Sequence, residues 1–106
     1  MPMITLSSKQ RKVLEKYAQP LNAVVLIGGG GVTDALIGQV ENAIQAQELV
    51  KIKFNEFKDE KQELAEQIAA ALSATLVRII GNVAVLYRPA KAPDKRKYEK
   101  ELAKTR

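Results

Sequence analysis

The stretch Val24–Ile37, VVLIGGGGVTDALI, leaves the backbone few choices. With Ala23 it opens on a short apolar, β-branched run, Ala23–Ile27, which suits a buried strand. It closes on Thr33 and Asp34, either of which can cap a helix reaching about Gln47. Leu36, Ile37, Val40, Ala43, Ile44 and Gln47 recur at the helical period and mark that helix's expected inward face. Between strand and helix stand Gly28, Gly29, Gly30 and Gly31. Four glycines in a row are costly to order, because glycine loses more backbone freedom on folding than any other residue.

The rest of the chain alternates in the same way. Ser7 and Gln10 have capping-box spacing ahead of a helix over Ser8–Ala18, with Val13, Leu14, Tyr17 and Ala18 on one face and Pro20 as its stop. Leu49–Phe57 alternates as a half-exposed strand, Val50, Ile52 and Phe54 facing one way and Lys51 and Lys53 the other. Asp59–Ser73 reads as a third helix with Leu64, Ile68, Ala71 and Leu72 inward. Leu76–Ile80 and Val83–Tyr87 form a hairpin about Gly81-Asn82. The expected order is α-β-α-β-α-β-β, an α/β domain with a four-stranded mixed sheet. The βαβαβ run implies parallel pairing, and the hairpin adds one antiparallel strand. Residues 1–89 are expected as the domain, and residues 90–106 as a basic tail that is solvated unless binding makes it helical.

Several functions are excluded by composition. The 106 residues fit one domain, and 46% apolar content is ordinary for a folded chain. Cysteine and histidine are both absent, which removes thiolate chemistry, the commonest general base and the commonest metal ligands. No acid/base constellation appears either: Glu63 and Glu66 lie among lysines on an exposed helix. Neither a signal-like segment nor an apolar run of about 18 residues is present, so the expected location is cytoplasmic, with no membrane partner.

The net charge of +5 is unevenly spread. Met1–Pro20 carries Lys9, Arg11, Lys12 and Lys16 against Glu15; residues 89–106 carry seven basic and three acidic residues; Leu21–Arg88 holds six and eight. Basic ends around a slightly acidic middle suit a polyanion such as RNA or DNA.

Three readings of the glycines compete. A nucleotide-binding loop needs lysine and a hydroxyl after its last glycine, but Val32, Thr33 and Asp34 follow Gly31; G-x-G-x-x-G fails as well. A purely structural turn needs one or two glycines, not four. A side-chain-free turn at a helix N-terminus, by contrast, offers backbone amides and the positive end of the helix dipole to a nucleic-acid backbone. KH modules use a G-x-x-G loop in this way, and Gly28 to Gly31 has that spacing.

Four stretches in order, LSSKQRKVLEKYA (Leu6–Ala18), VVLIGGGGVTDALI, ELVKIKF (Glu48–Phe54) and VRIIGNVAVLYRP (Val77–Pro89), resemble the CRM family, the RNA-binding domain named for chloroplast RNA splicing and ribosome maturation. The resemblance spans Ile4 to Pro89. It implies a fold like the C-terminal domain of bacterial translation initiation factor three, RNA binding without catalysis, no cofactor, and association with precursors of the large ribosomal subunit. The family's loop falls on Gly28, Gly29, Gly30 and Gly31, its basic first helix on Lys9, Gln10, Arg11 and Lys12, and its last strand ends on Leu86, Tyr87 and Arg88. Many members place a lysine or polar residue inside the loop; Gly29 and Gly30 offer only backbone.

The expected RNA contacts are therefore Lys9, Gln10, Arg11, Lys12, Lys16, Gly28 to Gly31, Thr33 and Arg88, on a monomer binding rRNA. Lys51, Lys53 and Arg78 are expected to solvate a sheet face, and Tyr87 to join the core. With only five aromatics, a base-stacking platform of the RRM kind is unsupported, so phosphates and RNA shape should dominate recognition. The alternatives are a general RNA chaperone or regulator acting on non-ribosomal RNA, and a nucleotide-binding enzyme using the glycine loop.

Overall fold

Each helix start is built locally. In the computed structural model, which describes residues 5–105, α1 (Ser8–Ala18) begins on a complete capping box: Ser7 Oγ accepts from Gln10 N, and Gln10 Oε1 accepts from Ser7 N. Strand β1 (Ala23–Ile27) runs into the glycine turn, and α2 (Asp34–Gln47) follows with Thr33 as its cap. Next come β2 (Leu49–Phe54), a 3-10 turn at Lys58–Glu60, and α3 (Lys61–Ala71). The hairpin strands β3 (Thr75–Ile80) and β4 (Val83–Tyr87) turn at Gly81, where φ is +59°. A short helix, α4 (Glu99–Lys104), ends the described chain.

The sheet is mixed, in the order β1-β2-β4-β3. Parallel pairing is confined to β1 and β2; β4 lies antiparallel between β2 and β3, which share a direction without touching. The expected parallel pairing of the third strand thus gives way to the hairpin, whose short turn binds β3 to β4 before any crossover can bring it beside β2.

Two cores flank the sheet. On one face, Val25, Ile27, Val50, Ile52, Phe54, Ala84 and Leu86 meet Val40 and Ile44 of α2 and Ala65, Ile68 and Ala69 of α3. On the other, Leu49, Val77, Val85 and Tyr87 meet Leu14 and Ala18 of α1 and Leu102 of α4. Several expectations are corrected here. Strand β2 stops at Phe54 because Asn55 N and Glu56 N both turn to Ile27 O. Its second face is not simply solvated: Leu49 is buried, and half-buried Lys51 donates to Gln19 O and Leu21 O. Gln47 is exposed, since Glu48 ends α2 at φ +64°. Ala71 is exposed while Ala65 and Ala69 are buried, a choice of face that a run of alanines scarcely signals.

The basic tail is not free in solvent but docked, though most of its charged side chains stay exposed. Leu102 is buried, Gln10 Nε2 donates to Leu102 O at 2.9 Å, and the Tyr98 ring stands 5.3 Å from Tyr17 and 6.2 Å from Tyr87. Arg106 at its end, and Ile4 at the start of the family-like region, lie outside the described residues.

Candidate nucleic-acid interface

The glycine turn closes on a single backbone bond, Gly31 N to Gly28 O at 3.0 Å. Gly31 alone of the four sits in the left-handed region, at φ +69°, where a side chain would be strained and its Cβ would lie 3.5 Å from the Phe57 ring. At Gly28, Gly29 and Gly30 an added Cβ would meet nothing within 4 Å. The fold therefore needs one glycine, and the other three leave backbone bare. Just beyond, Thr33 Oγ1 accepts from Leu36 N at 3.1 Å, so this hydroxyl serves as the helix cap. Asp34 opens α2, and the link after β2 carries Glu56, Asp59 and Glu60 against the single cation Lys58, a net negative surrounding. Most of the attractive charge for an anion therefore comes from elsewhere on the surface.

Helix α1 divides its polar residues sharply. Gln10 completes the cap on one side and holds α4 on the other. Arg11 is half-buried and its Nη1 donates to Leu76 O at 2.8 Å and to Val77 O, tying α1 to β3. Lys9, Lys12 and Lys16 are exposed on the side of the helix opposite buried Leu14, a stripe at three- and four-residue spacing. None forms an ion pair with a described residue.

Arg88 lies with neither group. Its guanidinium grips Glu41 of α2 in a two-pronged pair at 2.8 and 2.6 Å and donates to Leu72 O at 2.8 Å, with 16% of the side chain exposed. The Arg88 hydrogen bonds hold the Glu41 carboxyl below its ordinary range, and Glu41 raises Arg88 in return. In position this arginine is a bolt between α2 and the end of α3. The stripe and the turn also belong to different layers: α1 packs over β2 and β3, while the turn leads from edge strand β1 into α2 across the sheet.

Two features went unread in the sequence. Glu48 is buried and its carboxylate accepts from Ala90 N and Lys97 N, pinning the C-terminal segment; a glutamate between a helix end and a buried strand was the available signal. The segment it pins places exposed Lys100 and Lys104 on α4, next to α1. Tyr87 is in the core as expected, and burial pushes its phenol up to about 12. Among the described residues no group of three or more carboxylates could hold a metal, and no helix is long and apolar enough to cross a membrane.

With this geometry in place, known proteins offer a comparison. The family model described as the CRS1 / YhbY (CRM) domain matches residues 6–88. A Haemophilus influenzae protein named "RNA-binding protein" is 39% identical over 89 residues, covering 83% of this chain and 90% of that one. "Probable RNA-binding protein YqeI" of Bacillus subtilis is 34% identical over 87 residues, 81% of this chain and 91% of the relative. The solution structure of a candidate RNA-binding protein from Staphylococcus aureus superposes with a TM-score of 0.72 at 33% identity, covering 88% of this chain and 98% of that chain.

Proposed function

The chain belongs to the CRM domain family, and on that footing we propose that it binds RNA, without catalysis, through the glycine turn and the lysine stripe of α1. The observation that carries this reading is the trio Gly28, Gly29 and Gly30, whose lack of side chains answers no contact inside the fold. A sugar-phosphate backbone approaches closely at such a turn, facing the amides at the start of α2 and the positive end of its dipole. Lys9, Lys12 and Lys16 supply the attraction that the turn's acidic neighbours do not. Thr33 shapes the turn by capping α2, and Gln10, Arg11 and Arg88 hold the fold that presents it.

The family resemblance supports the finer reading, in which the RNA is rRNA in precursors of the large ribosomal subunit and the role is to assist assembly; a cytoplasmic monomer completes the proposal. RNA affinity measured against salt tests the binding itself. Three lysine–phosphate contacts give a log–log slope of about −2 or steeper on single strands. The double substitution Gly29→Asp with Gly30→Asp is expected to leave the melting temperature close to the parent's and to weaken RNA binding at least tenfold. A folded double variant with undiminished affinity would remove the turn from the interface. Crosslinking in cells followed by sequencing of the bound RNA tests the ribosomal assignment, which fails if the reads avoid large-subunit rRNA.

A further inference from the structure

Helices α1 and α4 cover only part of their face of the sheet. Strand register places Leu26 opposite Lys53, Lys53 opposite Val83, and Val83 opposite Ile80, so these four form a row across all four strands. Alternation along each strand puts that row on the α1 side, because Ile27, Phe54, Ala84 and Ile79 face the α2 and α3 core. At the two ends of this row Leu26 is 56% exposed and Ile80 51% exposed, with Lys53 and half-buried Val83 between them. Toward α1 the row deepens into a groove of about 240 Å³, floored by Ile80, Val83 and Val85 and walled by Ala18 and Gln19.

Basic side chains stand in the groove and beside it. Lys51 lines it, Lys53 stands in the row itself, and Arg78 follows along β3. The one acid lining the groove, Glu15, sits 3.4 Å from Arg78 and is neutralised there. The row is also continuous with the glycine turn: Leu26 lies two residues before Gly28, at the end of the same strand.

We infer that the uncovered end of the sheet, Leu26, Lys53, Val83 and Ile80 with the groove beside α1, is a second contact site that takes unpaired nucleotides. The inference rests on the RNA-binding reading above and adds a preference to it. Unpaired bases bury their apolar faces on the aliphatic row while their phosphates meet Lys53 and Arg78. A duplex hides those faces by stacking and gains only the charge contacts. The protein is therefore expected to favour single-stranded RNA even though it has no aromatic platform.

The test compares a short oligoribonucleotide, free and annealed to its complement, on the parent and on Leu26→Ser with Ile80→Ser. Both side chains are more than half exposed, so the variant should fold, and a thermal melt checks this. Affinity for the single strand is expected to fall about tenfold, from the lost burial of two aliphatic side chains, with duplex affinity nearly unchanged. Ultraviolet crosslinks from the single strand to the β1 and β3 peptides, lost in the variant, would add support. Equal affinity of parent and folded variant for the single strand overturns the site, and leaves the turn standing if Gly29→Asp with Gly30→Asp still weakens binding. That result would also be expected if the row served a protein partner instead. A parent that binds neither RNA overturns both readings together.

Discussion

The two faces of the sheet are closed by different means. The α2 and α3 face is sealed along its length by aliphatic side chains from both helices, and Arg88 bolts its end through Glu41 and Leu72 O. The α1 and α4 face relies on fewer apolar contacts plus side-chain ties to backbone: Arg11 to β3, Lys51 to the end of α1, Gln10 to α4, and Glu48 to the C-terminal segment. One end of it stays open. The closed face thus holds the fold, while the looser face presents the lysine stripe and the bare sheet end. Hydrophobic burial is strongest where nothing has to be reached from outside.

The sharpest way to break this contrast is inside the closed face. Ile52 is fully buried between β1 and β4, and Ile52→Ala is expected to cost about 3 kcal/mol, measured by urea unfolding. That is a large share of a small domain's total stability. Next comes Arg88→Met, expected to cost about 2 kcal/mol because it strands the Glu41 carboxylate and the Leu72 carbonyl. In the folded variant RNA affinity should stay within about twofold of the parent. A drop approaching tenfold would make Arg88 a contact as well as a bolt.

What could be read in advance follows from the range of the interactions. The Ser7–Gln10 box, the Thr33 cap and the Gly81-Asn82 turn act over three or four residues, and their elements were placed nearly to the residue. The insertion of β4 between β2 and β3 depends on pairing over long separations, and no local pattern encodes it. The folded tail is hard to read in the sequence because Tyr98 and Leu102 are the only large apolar residues in a strongly charged run, and because the docking partner Glu48 lies 49 residues before Lys97. For the candidate site, residue type was a poor guide to availability. Arg11 and Arg88 looked like Lys9 and Lys12 in the sequence, yet their planar, multi-donor guanidiniums match backbone carbonyls and a carboxylate, and the fold uses them so. The glycines could be counted but not sorted; only φ and the space around each separates Gly31 from its neighbours.

The looser face can be probed without touching stability. Lys9→Gln, Lys12→Gln and Lys16→Gln together are expected to change unfolding free energy by less than about 0.5 kcal/mol, since none is buried or ion-paired with a described residue. The same triple variant should lose about two units of the salt slope for single-stranded RNA, and roughly tenfold in affinity at moderate salt. An unchanged slope would move the electrostatic contact to another surface, with Lys100 and Lys104 of α4 the next to substitute.

The smallest effect expected is a pH dependence at the Arg88 bolt. The hydrogen bonds from Arg88 lower the Glu41 pKa and are the largest effect; burial, the next largest, opposes them, while the Gln45 hydrogen bond and the charges of Arg88 and Lys91 add to the lowering. A carboxyl whose folded pKa lies below its unfolded value of 4.5 releases its proton more readily in the folded state. Its stabilisation is therefore complete above that unfolded value and is lost as pH falls through the folded one. Glu41 is partly exposed, so solvent screening keeps the contribution below about 1 kcal/mol. Urea unfolding of the parent and of Glu41→Gln across the acid range isolates it: the parent should be the more stable at neutral pH, and the gap should narrow as the solution is acidified past the carboxylate range. A gap that stays constant would mean that Glu41 acts through shape and neutral hydrogen bonding alone, and that the closed face is bolted by geometry more than by charge.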